Sequence, residues 1–338
     1  MKFRKYTSIE NSTLVSFIEK IKQDGFADEE FLVQEKVHGS NLSILTNGKE
    51  IRFAKRTEIL DDEATFFQVH LLRHKYEQRI LHLFASLKNE FEIETLTVFG
   101  EYFGGYYPHK SVPKNTSAKT IQKGVYYSPN NDFYAFDILI NNHRYLDVDT
   151  CNRFFVAHDF LHAHTLFRGD LTACLSYNNA FQSTLPTLLH LPKLEDNVCE
   201  GVIIRPVKPL FLTSGSRILL KNKNDKWSEK SNSRDKQRLK KLVSEEIKLS
   251  KECDYLLDEL LQLINENRFS NVASKVGEVE FPRDLGKMTG LICKDIFQDF
   301  IKEFESSYVE LEKSEQKIIT KQLNQRVGLF LKEKSPLF

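Results

Sequence analysis

Cysteine is sparse and scattered in this chain. Cys151, Cys174, Cys199, Cys253 and Cys293 form no Cys-x-x-Cys pair, which argues against a zinc ribbon and a secreted disulfide framework. No apolar run approaches the roughly 20 residues needed to cross a bilayer, and the basic start "MKFRKYTSIE" is not followed by the apolar core of a signal peptide. With 48 basic against 47 acidic residues, there is no global field to gather a polyanion, so any such affinity must come from local clusters. Gly-x-x-x-x-Gly-Lys-[Ser/Thr] and Gly-x-Gly-x-x-Gly are both missing, so phosphate must be held by side chains and not by a glycine-rich loop. Internal repeats and low-complexity tracts are absent too. What remains is a soluble, intracellular protein without membrane contact, whose 338 residues suffice for two domains.

What is present divides by periodicity. From Phe31 to about Trp227, short β-type runs ("FLVQEKV", "NLSILT", "EIRFAKR", "TLTVFGEY", "DFYAFDILI", "GVIIRPV", "RILLKNK") alternate with turns and with a helical stretch, "ATFFQVHLLRHKYEQRILHLFASL". This part reads as α+β. The charged tract "SEKSNSRDKQRLKK" follows, without apolar periodicity until Leu239. Beyond it Leu239, Leu242 and Val243, then Cys253, Leu256, Leu257, Leu260, Leu261 and Ile264, recur at helical spacing. The expected organisation is an α+β domain over residues 1–232 and a small all-helical domain over 233–338.

Within the first domain, "EKVHGSNL" crowds an amine, an imidazole and an amide around Gly39. Asn47-Gly48 predicts a two-residue hairpin, pairing Ile44 with Ile51 and Leu42 with Phe53 and bringing Arg56 back beside Lys36. Glu101 ends one hydrophobic run and Glu200 begins another. Period-two alternation sets Lys221 and Lys223 on one face, with Arg217. One arginine, three lysines and two glutamates so placed suit a nucleoside triphosphate with a divalent metal.

The ordered set "EKVHGSN", "AKRT", "VFGEYFGG", "DFYAFDI", "EGVIIRP" and "LLKNK" resembles the motifs of the RNA ligase 2 family, the nick-sealing RNA ligases that include phage and trypanosome RNA-editing enzymes. The resemblance extends to "KYTSIEN", "NKNDKWSEK", "NRFSNVASKVGEV" and "DLGKMTGLICKDIF", and with its start near residue 2 no cleaved transit peptide is expected. It implies a nucleotidyltransferase domain of antiparallel sheets followed by a helical domain. The implied activity is ATP-dependent joining of a 3′-OH to a 5′-phosphate RNA end, at nicks in duplex RNA, by a monomer using Mg2+ or Mn2+.

By position the resemblance makes Lys36 the nucleophile that becomes covalently linked to AMP. His38 stands where DNA ligases and capping enzymes generally carry aspartate. Phe136 matches the adenine-stacking aromatic, Arg56 and Glu101 match groups near the AMP ribose and phosphate, and Glu200 matches a metal-associated carboxylate, with Glu101 beside it. Lys221 and Lys223 match the phosphate-contacting pair. Glu35, Val37 and Asn41 flank the nucleotide, while Arg205, Lys226, Trp227 and Arg268 are candidates for RNA contact. Ser40 stands where threonine is common, and Arg205 where some members have lysine. A free lysine titrates near about 10.4, so attack at neutral pH needs burial and neighbouring cations. Lys221, Lys223 and Arg56 are expected to supply that field, and Gly39 to let the α-phosphate approach the backbone.

Other signals have plainer readings. His158, His162 and His164 lack further ligands for a zinc site, with His158 and His162 expected on one helical face; His70 and His74 share that spacing. Arg268 and Asp295 either act across the domain gap or pack and cap, and Phe133 and Tyr134 read as core. Competing functions are a DNA ligase or GTP-using capping enzyme, disfavoured by His38 and by the absence of an OB-type strand pattern after residue 232, and a non-catalytic RNA-end binder, which has no need of a nucleophile.

Overall fold

The structure, a computed structural model, describes residues 1–61, 66–227 and 250–334. The chain forms two compact units, Met1–Lys226 and Trp227–Phe338. The expected boundary after residue 232, the charged tract from Ser228 onward, and Leu239, Leu242 and Val243 lie outside the described residues.

The first unit is built on two five-stranded sheets. One has the order β1 (Glu10–Asn11), β10 (Leu220–Lys223), β9 (Gly201–Pro206), β2 (Phe31–Glu35), β8 (Thr165–Gly169). It is antiparallel, as expected, with the one parallel pairing of the two-residue β1 beside β10. The other sheet is antiparallel throughout, in the order β4 (Ile51–Lys55), β3 (Ser40–Thr46), β5 (Leu96–Tyr106), β6 (Ser128–Ile140), β7 (Arg144–Tyr145).

Each sheet buries an apolar face under helices. Phe17, Ile18 and Ile21 of α1 (Val15–Gln23) pack with Phe31, Val33, Val202, Ile204 and Leu220 of the first sheet. Tyr76, Ile80 and Leu83 of α2 (Val69–Lys88) and Phe155 of α3 (Val148–Ala157) pack with Leu42, Ile44, Phe53, Val98 and Ile138 of the second. A fully buried side chain of this size contributes about 1.5–3 kcal/mol, so the sheets are well anchored. A smaller cluster sets Tyr6 and Leu219, which directly precedes β10, against Phe99, Leu139 and Tyr145 of the second sheet. The site lies where the sheets meet, because the chain crosses from β2 to β3 at Lys36–Gly39. The lysine thus sits on a crossover and not in the middle of a strand.

The hairpin register differs from expectation. Thr46 pairs with Ile51, Ile44 with Phe53 and Leu42 with Lys55, because the connection is four residues long. Asn47 Oδ1 accepts from the N–H groups of Lys49 and Glu50, and Thr46 Oγ1 accepts from that of Gly48, an Asx-type turn that competes with the two-residue alternative. The slip is two residues, so the apolar face is unchanged.

In the second unit, α6 (Lys251–Leu261), α7 (Glu266–Val276), α8 (Leu285–Glu310) and α9 (Lys313–Lys332) close around Cys253, Leu256, Leu260, Ile264, Met288, Ile292, Ile296, Phe300, Leu323 and Val327. Two shorter helices of the first unit, α4 (Leu171–Leu175) and α5 (Leu185–Leu188), precede them. Ser250 and Asn265 cap α6 and α7 by accepting from the Cys253 and Arg268 N–H groups.

Candidate active site

Glu200 is the centre of the site. Its carboxylate is fully buried, with Lys36 Nζ 2.6 Å and His38 Nδ1 3.4 Å from Oε2 and Lys223 Nζ 3.0 Å from Oε1. Burial alone would favour the neutral acid; the charges of Lys223 and Lys36, with His38, outweigh it and hold the Glu200 carboxyl well below its ordinary range. Glu101, beside it on β5, has the opposite balance. Burial pushes its pKa up to about 7, the Glu200 charge adds to this, and Lys36 and Arg56 oppose it.

Arg56 therefore does return to the site, although by a different register. Lys221 shares the face of Lys223 on β10, where it pairs across to Ile203. Arg217 does not join them: β10 begins only at Leu220, Leu219 and Leu220 are both buried, and the alternation is broken there. The Arg217 guanidinium instead binds Asp137 at 2.6 Å and lies over the Tyr145 ring.

The backbone of the crossover is fixed from several sides. The Lys36 N–H donates to the Gly201 carbonyl, and the His38 N–H donates to the buried Tyr127 hydroxyl at 2.9 Å. Gly39 has a packing reason of its own: a Cβ there would lie 2.3 Å from the Tyr102 carbonyl oxygen, so the close strand approach by itself requires glycine. The Glu35 carboxylate is turned to other partners, accepting from Ser183 Oγ, Thr184 N–H and Thr184 Oγ1. Val37 is buried, and Asn41 pairs across to Glu101.

Phe136 is aimed by a β-bulge. Phe99 pairs with Asp137 and Gly100 with Ala135, so Phe136 is the extra residue. Its ring, only partly buried, backs onto Tyr6 at 5.0 Å, whereas Phe133 and Tyr134 are core as expected. Below it lies a network that the sequence reading missed. Asp137, fully buried, accepts from the Tyr6 hydroxyl, Arg205 and Arg217, and Arg205 also donates to the Phe136 carbonyl. An aspartate inside the apolar run "FYAFDILI" is the signal that could have exposed it; nothing local marks Tyr127.

The candidates for RNA contact are placed differently from one another. Arg205, Trp227 and Arg268 are 2%, 6% and 2% exposed. Arg268 Nη1 donates to Asp295 and Asp299 within the helical unit. Lys226 is exposed and donates to the Gly124 carbonyl. His158 and His162 share no helical face, since α3 ends at Ala157; the His162 and His164 rings lie 4.5 Å apart. Among the described residues no three His, Cys, Asp or Glu side chains are grouped to hold a metal ion.

Comparison with known proteins now decides the family. Residues 29–223, which contain Lys36, Glu101, Glu200 and Lys223, match the RNA ligase family. The chain belongs to that family. Residues 245–328 of this RNA ligase family member match the T4 RNA ligase 2 C-terminal family, which makes it a member of the RNA ligase 2 group. It is 28% identical to the mitochondrial RNA-editing ligase 2 of Trypanosoma brucei brucei, covering 91% of this chain and 85% of that protein. Identity is again 28% to the mitochondrial RNA-editing ligase 1 of Trypanosoma brucei brucei, over 86% of this chain and 74% of that one. A Naegleria gruberi RNA ligase solved with ATP and Mn aligns over 67% of this chain and 56% of its own, with 16% identity and a TM-score of 0.47. No helix among the described residues is long and apolar enough to cross a membrane.

Proposed function

We propose that this protein is an ATP-dependent RNA ligase that joins a 3′-OH to a 5′-phosphate end at nicks in duplex RNA. The observation that carries the reading is the convergence of Lys36, His38 and Lys223 on one buried, ionised Glu200. A pure RNA-end binder has no use for a lysine held in that way.

In the first step the Lys36 amine attacks the α-phosphorus of ATP; a P–N bond forms, the P–O bond to pyrophosphate breaks, and the amine proton leaves to solvent. In the second, an oxygen of the RNA 5′-phosphate attacks the same phosphorus and returns the electron pair to Lys36. In the third, the 3′-hydroxyl attacks the 5′-phosphorus, and AMP departs. Phe136 stacks on adenine, Arg56 and Glu101 hold the ribose and α-phosphate side, and Lys221 and Lys223 draw charge from the phosphates.

The donor set fits a magnesium or manganese ion, since such ions take one or two carboxylates plus substrate phosphates. Glu200 and Glu101 would hold it. Bound there, such an ion would neutralise phosphate charge. The Lys36 nitrogen is engaged by Glu200 at 2.6 Å, so release of that contact is what makes it available to the α-phosphorus.

Incubation with labelled ATP and magnesium, then denaturing electrophoresis, tests the reading. The wild-type chain is expected to carry label and Lys36→Ala to carry none, while Lys36→Ala still seals pre-adenylylated RNA. Labelling of Lys36→Ala at the normal rate would refute the assignment.

A further inference from the structure

Three of the four side chains that the sequence offered for RNA contact are buried, which raises the question of what surface holds the strand. Residues 102–131 contain no aspartate or glutamate. At the chain's average of 47 acidic residues in 338, about four would fall in a stretch of that length. The same stretch carries His109, Lys110, Lys114, Lys119 and Lys123, and all four lysines are exposed.

Most of it is the irregular connection between β5 and β6, longer than the roughly 12–15 residues beyond which loops without secondary structure are usually functional or disordered. This one is fastened along its length. A Cβ on Gly105 would sit 2.0 Å from the Lys119 carbonyl oxygen, so the loop lies directly on the strand that leads away from Glu101. Asn131 exchanges two hydrogen bonds with the Lys119 backbone, Gln122 accepts from the Gly104 N–H, and Asn197 exchanges two with the Tyr126 backbone. Its far end, Tyr127, holds the His38 N–H. Lys226 reaches the loop at Gly124 and adds a further exposed cation. Tyr106 and Tyr126 meet edge to face at 5.6 Å, and Tyr106 is 37% exposed.

We infer that the loop 107–127 is the surface that grips the sugar-phosphate backbone of the duplex leading into the joint. A fixed, cationic loop that itself carries no carboxylate suits backbone contact, because each phosphate neutralised releases counterions. The inference rests on the ligase reading for the identity of the polyanion, and on the loop alone for the contact.

The test uses the full chain with Lys110→Gln, Lys114→Gln, Lys119→Gln and Lys123→Gln combined. The control removes the same charge at exposed Lys20, Lys49, Lys88 and Lys208. Fluorescence anisotropy with a nicked duplex RNA is read across a salt series, and labelled-ATP self-adenylylation in parallel. The loop variant is expected to lose affinity on the order of tenfold or more at about 0.1 M salt, with the slope of log K against log salt shallower by about 2–4. Its self-adenylylation is expected to stay within about twofold of wild type, and the control to keep the wild-type salt slope. An unchanged dissociation constant and slope in the loop variant, or an equal loss in the control, overturns the inference. Failure of the wild-type chain to take label from ATP would overturn the ligase reading instead, and the anisotropy result would still decide the role of the loop.

Discussion

Replacing Asp137 by asparagine tests the foundation under Phe136. Asp137 is fully buried and bonded to Arg217 at 2.6 Å, Tyr6 at 2.9 Å and Arg205 at 3.1 Å, while both arginines are almost completely buried. Burial works to raise its pKa, and the charges of Arg205 and Arg217 more than offset this, leaving it below the ordinary aspartate value. The substitution leaves two arginines without a counter-charge. Breaking a buried pair from one side costs about 3–5 kcal/mol, and an amide that still accepts one hydrogen bond puts the expected loss at the lower end. In a unit of this size, 1 kcal/mol moves the melting temperature by about 2–4 °C, so a drop on the order of 10 °C is expected. Urea unfolding supplies the free energy, and the double variant Asp137→Asn with Arg217→Met is expected to recover part of it. The functional arm is the ATP concentration dependence of self-adenylylation, where KM is expected to rise more than kcat falls, since Arg205 also holds the Phe136 carbonyl. A loss below about 1 kcal/mol, or no recovery in the double variant, would show that the network is not what secures the bulge. The depressed pKa also sets a sign: the stabilisation is complete above the unfolded aspartate pKa and is lost as pH falls through the lower folded value.

Glu101 gives the opposite sign. Because its pKa is raised to about 7, the folded state holds the proton more tightly between roughly pH 4.5 and 7, so the stability contributed by this group falls as pH rises through that window. Glu101→Gln is therefore expected to gain stability relative to wild type from pH 6 to pH 8, and to lose any acid limb near pH 7 in the self-adenylylation profile; melting curves and rates at several pH values check both, and parallel curves would count against the assignment. Tyr127→Phe removes the acceptor of a buried N–H at His38, a cost of about 1–3 kcal/mol. Its self-adenylylation kcat is expected to fall several-fold with the ATP KM nearly unchanged, and an unaltered kcat would mean that the bond does not position the crossover.

Much of this architecture was legible in the amino-acid pattern, for a physical reason. Strands buried on one face or both write their period into the sequence, and "FLVQE", "SNLSILT" and "GVIIRP" are recovered as β2, β3 and β9. The residues gathered on Glu200 were legible as well, because charged groups at the ends of apolar runs are conspicuous. The hairpin register was not, since the side chain of Asn47 offers the backbone a second set of acceptors that spacing does not reveal. Arg217 and Asp137 pair across the fold through long-range packing, and Tyr127 serves through a hydroxyl on a backbone N–H; neither leaves a periodic trace. Gly39 was legible as a special position, and the neighbouring strand adds a packing reason that the sequence does not display.

The parallel pairing of Glu10–Asn11 with Leu220–Lys221 has a consequence for synthesis. The first strand of the chain finds its place only beside the last strand of the unit, and Lys36 meets Glu200 across a sequence separation of 164 residues. Contacts this distant form late, after the loop entropy between them has been overcome. A ribosome-bound chain arrested before Leu220 would hold Lys36 in an incomplete pocket and take no label from ATP. The fold thereby times the appearance of a reactive amine to the completion of the unit that controls it.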